Sequence, residues 1–347
     1  MDCEKIDLIG RKLQLNTSSP NWCCEIPSLS DLIFTNSETY RQIVCNKNNQ
    51  VTKLIVVGFE LNCELKDILL PSFGSELEVL EFRENMISGT IPVDVVRNMT
   101  KLKEIGIDNN YLHGTIDEGT FDDLKKLDYI SVRGNFISGT LPTFPVASKI
   151  SFLNVNNNYM TGRLDPLGNL TKLNTLYASD NQFLGELQQF ANFKKLKKLW
   201  LTGNQLTGTV PFELFKNTSG LKELFINFNR ISGTLPGELC DSGTLALFSI
   251  SGNRVSGTIP ENIGNCKNLT MAYFYHNKIS GTLPRTFERL SNITHLYVDS
   301  NKLSGTLPSE LVKMDSISVL KLSYNRFSGN SSAVLGFPLT NVSVQKK

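Results

Sequence analysis

Leu221-Lys-Glu-Leu-Phe-Ile-Asn-Phe-Asn-Arg-Ile-Ser-Gly-Thr-Leu-Pro236 is one turn of a pattern that fills most of the 347 residues. Its closing segment returns as Ile87-Ser-Gly-Thr-Ile-Pro92, Ile137-Ser-Gly-Thr-Leu-Pro142, Val255-Ser-Gly-Thr-Ile-Pro260, Ile279-Ser-Gly-Thr-Leu-Pro284 and Leu303-Ser-Gly-Thr-Leu-Pro308. A spacing of roughly 23 to 25 residues marks a solenoid, in which each unit has an apolar face that only its neighbours can cover. Such a chain works through a long surface and not through a catalytic pocket.

Within one turn, the alternation Leu224-x-Ile226 places both side chains on one face of a short strand and Phe225 on the other. Stacked copies make a parallel sheet whose inner side the return segments must cover. An asparagine stands at 85, 110, 135, 158, 181, 204, 229, 253, 277, 301 and 325. At the exit from the strand its amide can satisfy backbone groups of adjacent coils that would otherwise be buried without partners. An earlier unit, residues 51 to 65, has Phe59 in that place and brings the count to twelve. Glycines such as Gly233 and Gly257 mark positions where coils pass closely or φ is positive. The prolines open returns expected to be short helical or 3₁₀ turns.

The consensus Leu-x-x-Leu-x-Leu-x-x-Asn-x-Leu-x-Gly-x-Ile-Pro resembles the plant-type leucine-rich repeat over about residues 51 to 330. The resemblance implies an α/β solenoid, a right-handed superhelix with a concave parallel sheet and short convex returns. Its family spans receptors, co-receptors and secreted inhibitors.

Residues 1–50 read as an amino-terminal cap and 331–347 as a short tail without a closing cysteine pair. The cap holds Cys3, Cys23, Cys24 and Cys45, with Trp22 beside the adjacent pair. Neighbouring cysteines bridge poorly to each other, so Cys3–Cys23 and Cys24–Cys45 is the natural pairing. This cap resembles those of polygalacturonase-inhibiting proteins and plant receptor ectodomains, with Tyr40-Arg-Gln-Ile-Val-Cys45 replacing the usual Trp-x-Gly-Val-x-Cys. Cys240 and Cys266 fall on consecutive returns, one coil apart, and are expected to pair. Cys63 occupies the glycine slot of the first unit and is expected as a buried free thiol. No Cys-x-x-Cys occurs and the three histidines are scattered, so neither metal nor cofactor is expected.

Eight Asn-x-Ser/Thr sequons occur, at Asn16, Asn98, Asn169, Asn217, Asn268, Asn292, Asn330 and Asn341. With the cap cysteines they favour a secreted or cell-surface glycoprotein. The opening Met-Asp-Cys carries no leader, which leaves a removed leader, a short gene model or a cytosolic chain open. A net charge of +2 argues against a dedicated nucleic-acid surface, and Lys194-Lys-Leu-Lys-Lys198 reads as a solvated coil edge. No stretch approaches the roughly 20 apolar residues of a membrane span.

Residues pointing out of the sheet between its inward positions run Glu81, Gly106, Ser131, Asn154, Tyr177, Trp200, Phe225, Ser249, Tyr273, Tyr297 and Lys321. Five of the six from 177 to 297 are aromatic in a chain that is 9% aromatic. Tyr129, Phe152 and Tyr275 flank them, and Lys198 lies at the centre. At about 4.8 Å per strand, Tyr177 to Tyr297 covers roughly 24 Å. That length can anchor an interface of roughly 800 Å² per partner, with rings as hot spots. A protein, peptide or glycan partner is therefore expected there, against the alternative that the rings only stiffen the sheet.

Catalysis is not expected: His113, His276 and His295 sit in repeat positions, and no nucleophile matches His295 and Asp299. Two other readings are a structural or cytosolic interaction scaffold, and ice binding through the row Thr90, Thr115, Thr140, Thr209, Thr234, Thr258, Thr282 and Thr306. Arg163 and Glu186 interrupt that row.

Overall fold

The computed structural model describes residues 40–48, 50–69, 76–328 and 342–343. They fall into two compact units, residues 1–173 and 174–347. Each is a stack of coils with one strand of a parallel ladder per coil, which is the leucine-rich-repeat solenoid expected from the period.

In the first unit the ladder runs Val51–Val57, Val79–Glu81, Glu104–Gly106, Tyr129–Ser131 and Phe152–Asn154, paired in order. Tyr40–Cys45 adds an antiparallel strand along Val51–Val57 and covers the open edge of the first coil. Its hairpin is closed by Asn46, whose Oδ1 accepts from the backbone N–H groups of Asn48 and Gln50 at 2.9 and 3.1 Å. Cap positions before Tyr40, including Cys3, Trp22, Cys23 and Cys24, lie outside the described residues. Cys45 is disulfide-bonded. Cys63 is disulfide-bonded too, which corrects the expectation of a free thiol. Its coil is the first of the stack among the described residues, and the side chain is half-buried.

In the second unit the ladder runs Thr175–Tyr177, Lys198–Trp200, Glu223–Phe225, Leu247–Ser249, Met271–Tyr273, His295–Tyr297 and Val319–Lys321. Val342–Ser343, within the expected tail, pairs parallel with Val319–Lys321 and extends that edge. Val334, Leu335 and Phe337 lie outside the described residues.

The middle residue of each strand points inward. Leu176, Leu199, Leu224, Phe248, Ala272 and Leu296 are all fully buried. Burying one such side chain is worth about 1.5–3 kcal/mol. Where the column carries a phenylalanine, Phe248, the next coil supplies Phe274, and the rings meet edge-on at 5.5 Å. The returns are short helical turns, Leu187–Asn192 after Glu186 and the others behind a proline: Phe212–Asn217 after Pro211, and 3₁₀ turns Gly237–Cys240, Glu261–Asn265, Arg285–Arg289 and Ser309–Lys313. Cys240 and Cys266 are joined by a disulfide, with Cα atoms 4.9 Å apart.

The ladder asparagines tie coil to coil. Asn229 Oδ1 accepts from Leu206 N at 2.9 Å, and its Nδ2 donates to Leu201 O at 2.8 Å, both in the preceding coil. The same amide group donates to Asn227 O at 3.0 Å in its own coil. Phe59, in the asparagine place of the first unit, has its N–H served by Asn85 Oδ1 of the next coil.

The motif glycine faces a threonine of the preceding coil at Gly114, Gly139, Gly162, Gly233, Gly257, Gly281 and Gly305, and a glutamate at Gly89 and Gly208. At Gly233, φ is +78°, and an added Cβ would lie 2.6 Å from Thr209 Cγ2 of the coil before. The exposed threonine row therefore turns its methyls onto the backbone of the following coil.

Candidate ligand-binding face

The strand positions flanking each buried middle residue look away from the core and build an open face of fixed register. In the second unit, Tyr177, Trp200 and Phe225 are direct neighbours on adjacent strands. Tyr177 and Trp200 have ring centroids 4.5 Å apart, and Trp200 meets Phe225 edge-on at 5.2 Å. All three are half-buried, so each keeps part of its ring in water.

Polar partners lock the centre of this group. Trp200 Nε1 donates to Glu223 Oε2 at 3.0 Å, and Lys198 Nζ pairs with Glu223 Oε1 at 2.8 Å. One carboxylate thus orients both an indole and an ammonium of the neighbouring strand. Its hydrogen bond raises the Lys198 ammonium above its ordinary pKa. Burial raises the Tyr177 phenol; the Glu223 charge adds to that and Lys198 opposes it.

A second group lies two strands on. Tyr273 and Tyr297 are register partners whose rings meet at 4.9 Å, and Tyr275 stands 6.2 Å from Tyr297. Burial, then the neighbouring tyrosines 297 and 275, push the Tyr273 phenol up. Between the groups sits Ser249, register partner of both Phe225 and Tyr273. Ser249 is only 1% exposed, and its Oγ has no hydrogen-bond partner; the same holds for the Ser251 hydroxyl and Asn227 Oδ1. The aromatic band, five of six positions in sequence, is thus two clusters around a narrow polar gap at Ser249.

Tyr129 and Phe152 belong to the first unit, where they stack at 4.3 Å with planes 9° apart. Arg83 lies over the Tyr129 ring at 5.8 Å, pairs with Glu81 at 2.9 Å and sits 3.9 Å from Asp108. Burial raises the Glu81 carboxyl above the usual carboxylate range, against the pull of Arg83. Gly106 leaves room there, since an added Cβ would lie 3.1 Å from Arg83 Nε.

Two features were missed in the sequence because they appear only at coil period. Tyr111, Phe136 and Tyr159 each follow a ladder asparagine; they are 50%, 45% and 52% exposed and stack at 6.0 Å per step. At the same repeat position the second unit carries Arg230, Arg254, Lys278, Lys302 and Arg326. Among the sequons, Asn98, Asn169, Asn217, Asn268 and Asn292 are exposed, whereas Asn16, Asn330 and Asn341 lie outside the described residues. The described residues hold no group of three or more potential metal ligands and no helix long and apolar enough to cross a membrane.

Comparison with known proteins agrees with this geometry. A leucine-rich-repeat family model matches residues 243–303, and a second matches 195–217 and 220–242. No curated protein sequence matches the chain. Among solved structures, a TDR receptor is 25% identical with a TM-score of 0.67, covering 77% of this chain and 50% of its own. The Arabidopsis receptor kinase HAESA, solved with the peptide hormone IDA and the co-receptor SERK1, is 27% identical with a TM-score of 0.56, covering 81% and 55%. An internalin of Listeria monocytogenes, 21% identical with a TM-score of 0.62, shares the fold and covers 85% and 87%. The chain spans about half the length of the receptor structures it matches. Coil by coil, through its Asn-x-Leu-x-Gly-x-Ile-Pro motif, its paired returns and these likenesses, this is a leucine-rich-repeat protein of the plant type.

Proposed function

We propose that the chain is a recognition module that binds an extended peptide across the strands Thr175–Tyr177 to His295–Tyr297, acting by surface complementarity and not by catalysis. The observation that carries this reading is the Tyr177–Trp200–Phe225 cluster with its Glu223 clamp. Large rings on a solvated sheet face are not needed to fold a coil, since Ser249 and Ser131 fill the same position elsewhere. Rings held by hydrogen bonds lose little side-chain entropy on binding, which favours affinity. An extended chain could lay side chains between the two clusters and reach the polar gap at Ser249.

The likeness to the TDR receptor and to HAESA supports a receptor-like ectodomain over a secreted enzyme inhibitor. The Cys240–Cys266 disulfide supports an oxidising, extracellular setting. The test is selection of binders from a displayed library of random linear peptides, followed by the variant Tyr177→Ala/Trp200→Ala/Phe225→Ala. The expected result is loss of binding by tenfold or more with circular dichroism and melting unchanged, since hot-spot rings are worth about 2 kcal/mol or more each. Selected peptides that bind the variant as well as the wild type would place recognition on another face.

A further inference from the structure

On the flank of the first unit a second, smaller sheet runs Ser88–Gly89, Tyr111–Gly114, Phe136–Gly139 and Tyr159–Met160, parallel and one strand per coil. Its strands alternate: Leu112, Ile137 and Met160 are buried, while Tyr111, Phe136 and Tyr159 look out. The register sets a polar side chain beside every ring. Ser88 is the partner of Tyr111, His113 of Phe136 and Ser138 of Tyr159. Partners in a parallel ladder share a face, so each step offers one ring and one hydrogen-bonding group together. The Tyr111 and Phe136 planes lie 11° apart and those of Phe136 and Tyr159 16°, so the three rings stand nearly parallel.

Folding does not ask for rings here. About half of each stays in water, and the same repeat position holds Gln182 and Gln205 in the second unit. Gln205 N donates to Phe183 O at 2.9 Å, just as Tyr111 N does to Ile87 O at 2.8 Å, so the backbone closes either way. Tyr129 and Phe152, which do pack tightly, have centroids 4.3 Å apart instead of 6.0 Å. Charge is missing from the strip as well. Residues 85–91, 109–116, 134–141 and 157–162 contain no Asp, Glu, Lys or Arg. At its two ends the charges are met within the protein: Glu64, bridged to Ser88, pairs with Lys66 at 2.7 Å, and Arg163 pairs with Asp165 at 2.5 Å.

We propose that this strip binds a linear neutral glycan. A hexopyranose unit has an apolar C–H face and a rim of hydroxyls, which is the pairing each step of the strip offers. The negative face of an aromatic ring attracts the polarised C–H groups. The direction of the hydrogen bonds narrows the choice further. Ser138 Oγ donates to Gly114 O at 3.2 Å and Ser88 Oγ to Cys63 O at 3.5 Å. Both hydroxyls therefore use their protons inside the protein and are left as acceptors. Exposed His113 adds ring nitrogens of either role. Sugar hydroxyls supply the donors that the serines call for. A polyproline helix also packs on rings, but without N–H groups it cannot. Single-stranded nucleic acid needs cations along its backbone, and the strip has none.

The full chain is tested by affinity electrophoresis in native gels cast with xyloglucan, galactomannan or hydroxyethylcellulose, and by calorimetric titration with decaproline and with phosphatidylcholine vesicles. The expected result is retardation by at least one of these glycans, undiminished by added salt because no ion pair forms. Tyr111→Gln/Phe136→Gln/Tyr159→Gln introduces the residue that Gln182 and Gln205 already place in equivalent coils, so circular dichroism and melting should match the wild type. Its affinity for that glycan should fall roughly tenfold or more, since the rings carry the contact. Ser88→Ala/Ser138→Ala keeps the rings and should weaken the same retardation to a lesser degree. The Tyr177, Trp200 and Phe225 alanine variant should bind the glycan as the wild type does, which separates this flank from the peptide face. No retardation in any of the gels, equal retardation of the ring variant, or binding to decaproline or vesicles alone would overturn the proposal.

Discussion

The carboxylate of Glu223 holds the indole of Trp200 from the neighbouring strand, with Nε1 to Oε2 at 3.0 Å, while its other oxygen takes Lys198 Nζ at 2.8 Å. A ring that would otherwise swing freely over the sheet is thereby set edge-on to Phe225. Glu223→Ala should leave the fold intact, with a stability loss of about 1 kcal/mol or less because the group is partly solvated. Trp200 should at the same time become more accessible to iodide quenching. Unchanged quenching would show that packing alone orients the indole.

Asn229→Ala removes the acceptor for Leu206 N and the donor to Leu201 O, both buried between coils. The expected loss is about 1–3 kcal/mol for each buried group left unpaired. A lowered urea midpoint measures it. A broadened transition is expected as well, since coils stabilise only their neighbours.

Gly233→Ala meets two obstacles, a φ of +78° and the Thr209 methyl at 2.6 Å. Backbone strain of this kind costs about 1–3 kcal/mol. Adding Thr209→Ser removes the methyl clash but not the backbone strain, so thermal melting of the double variant should recover only in part. Full recovery would assign the whole effect to the clash.

Cys240 and Cys266 close a separation of 26 residues between consecutive returns. Replacing both with alanine should cost about 2–4 kcal/mol. Comparing the variant with wild type without reductant isolates this bond from those of Cys45 and Cys63.

Tyr177 and Tyr273 carry phenols raised above their ordinary value, chiefly by burial. The stability linked to them is complete below the unfolded value of about 10. It is lost as pH climbs through the higher folded values, because the unfolded chain gives up its protons first. Near-ultraviolet phenolate titration should show late ionisation for these two. Tyr177→Phe/Tyr273→Phe should flatten the alkaline fall in melting temperature.

Much of this molecule was legible one coil at a time. The period, the inward Leu224 and Leu199, the asparagine at 229 and the glycine at 233 each answer to a local demand that recurs in every turn, so repetition amplified the signal. The Cys240–Cys266 bond was readable for the same reason: a fixed offset of one coil brings two returns together. The outward set from Tyr177 to Tyr297 followed from strand alternation alone.

What spacing along the chain could not tell was how side chains on different coils share their surroundings. That Glu223 clamps Trp200, that Ser249 is buried between Phe225 and Tyr273 in register with its hydroxyl unpaired, and that Cys63 is bonded depend on groups far apart in sequence meeting at contact distance. The row from Arg230 to Arg326 is the clearest case: its members stand 24 positions apart, so no run of charge betrays them, and only stacking the coils sets them side by side. Local periodicity settled the fold because each coil solves the same burial problem, whereas the surfaces it offers to partners arise from one residue per coil, summed across the stack.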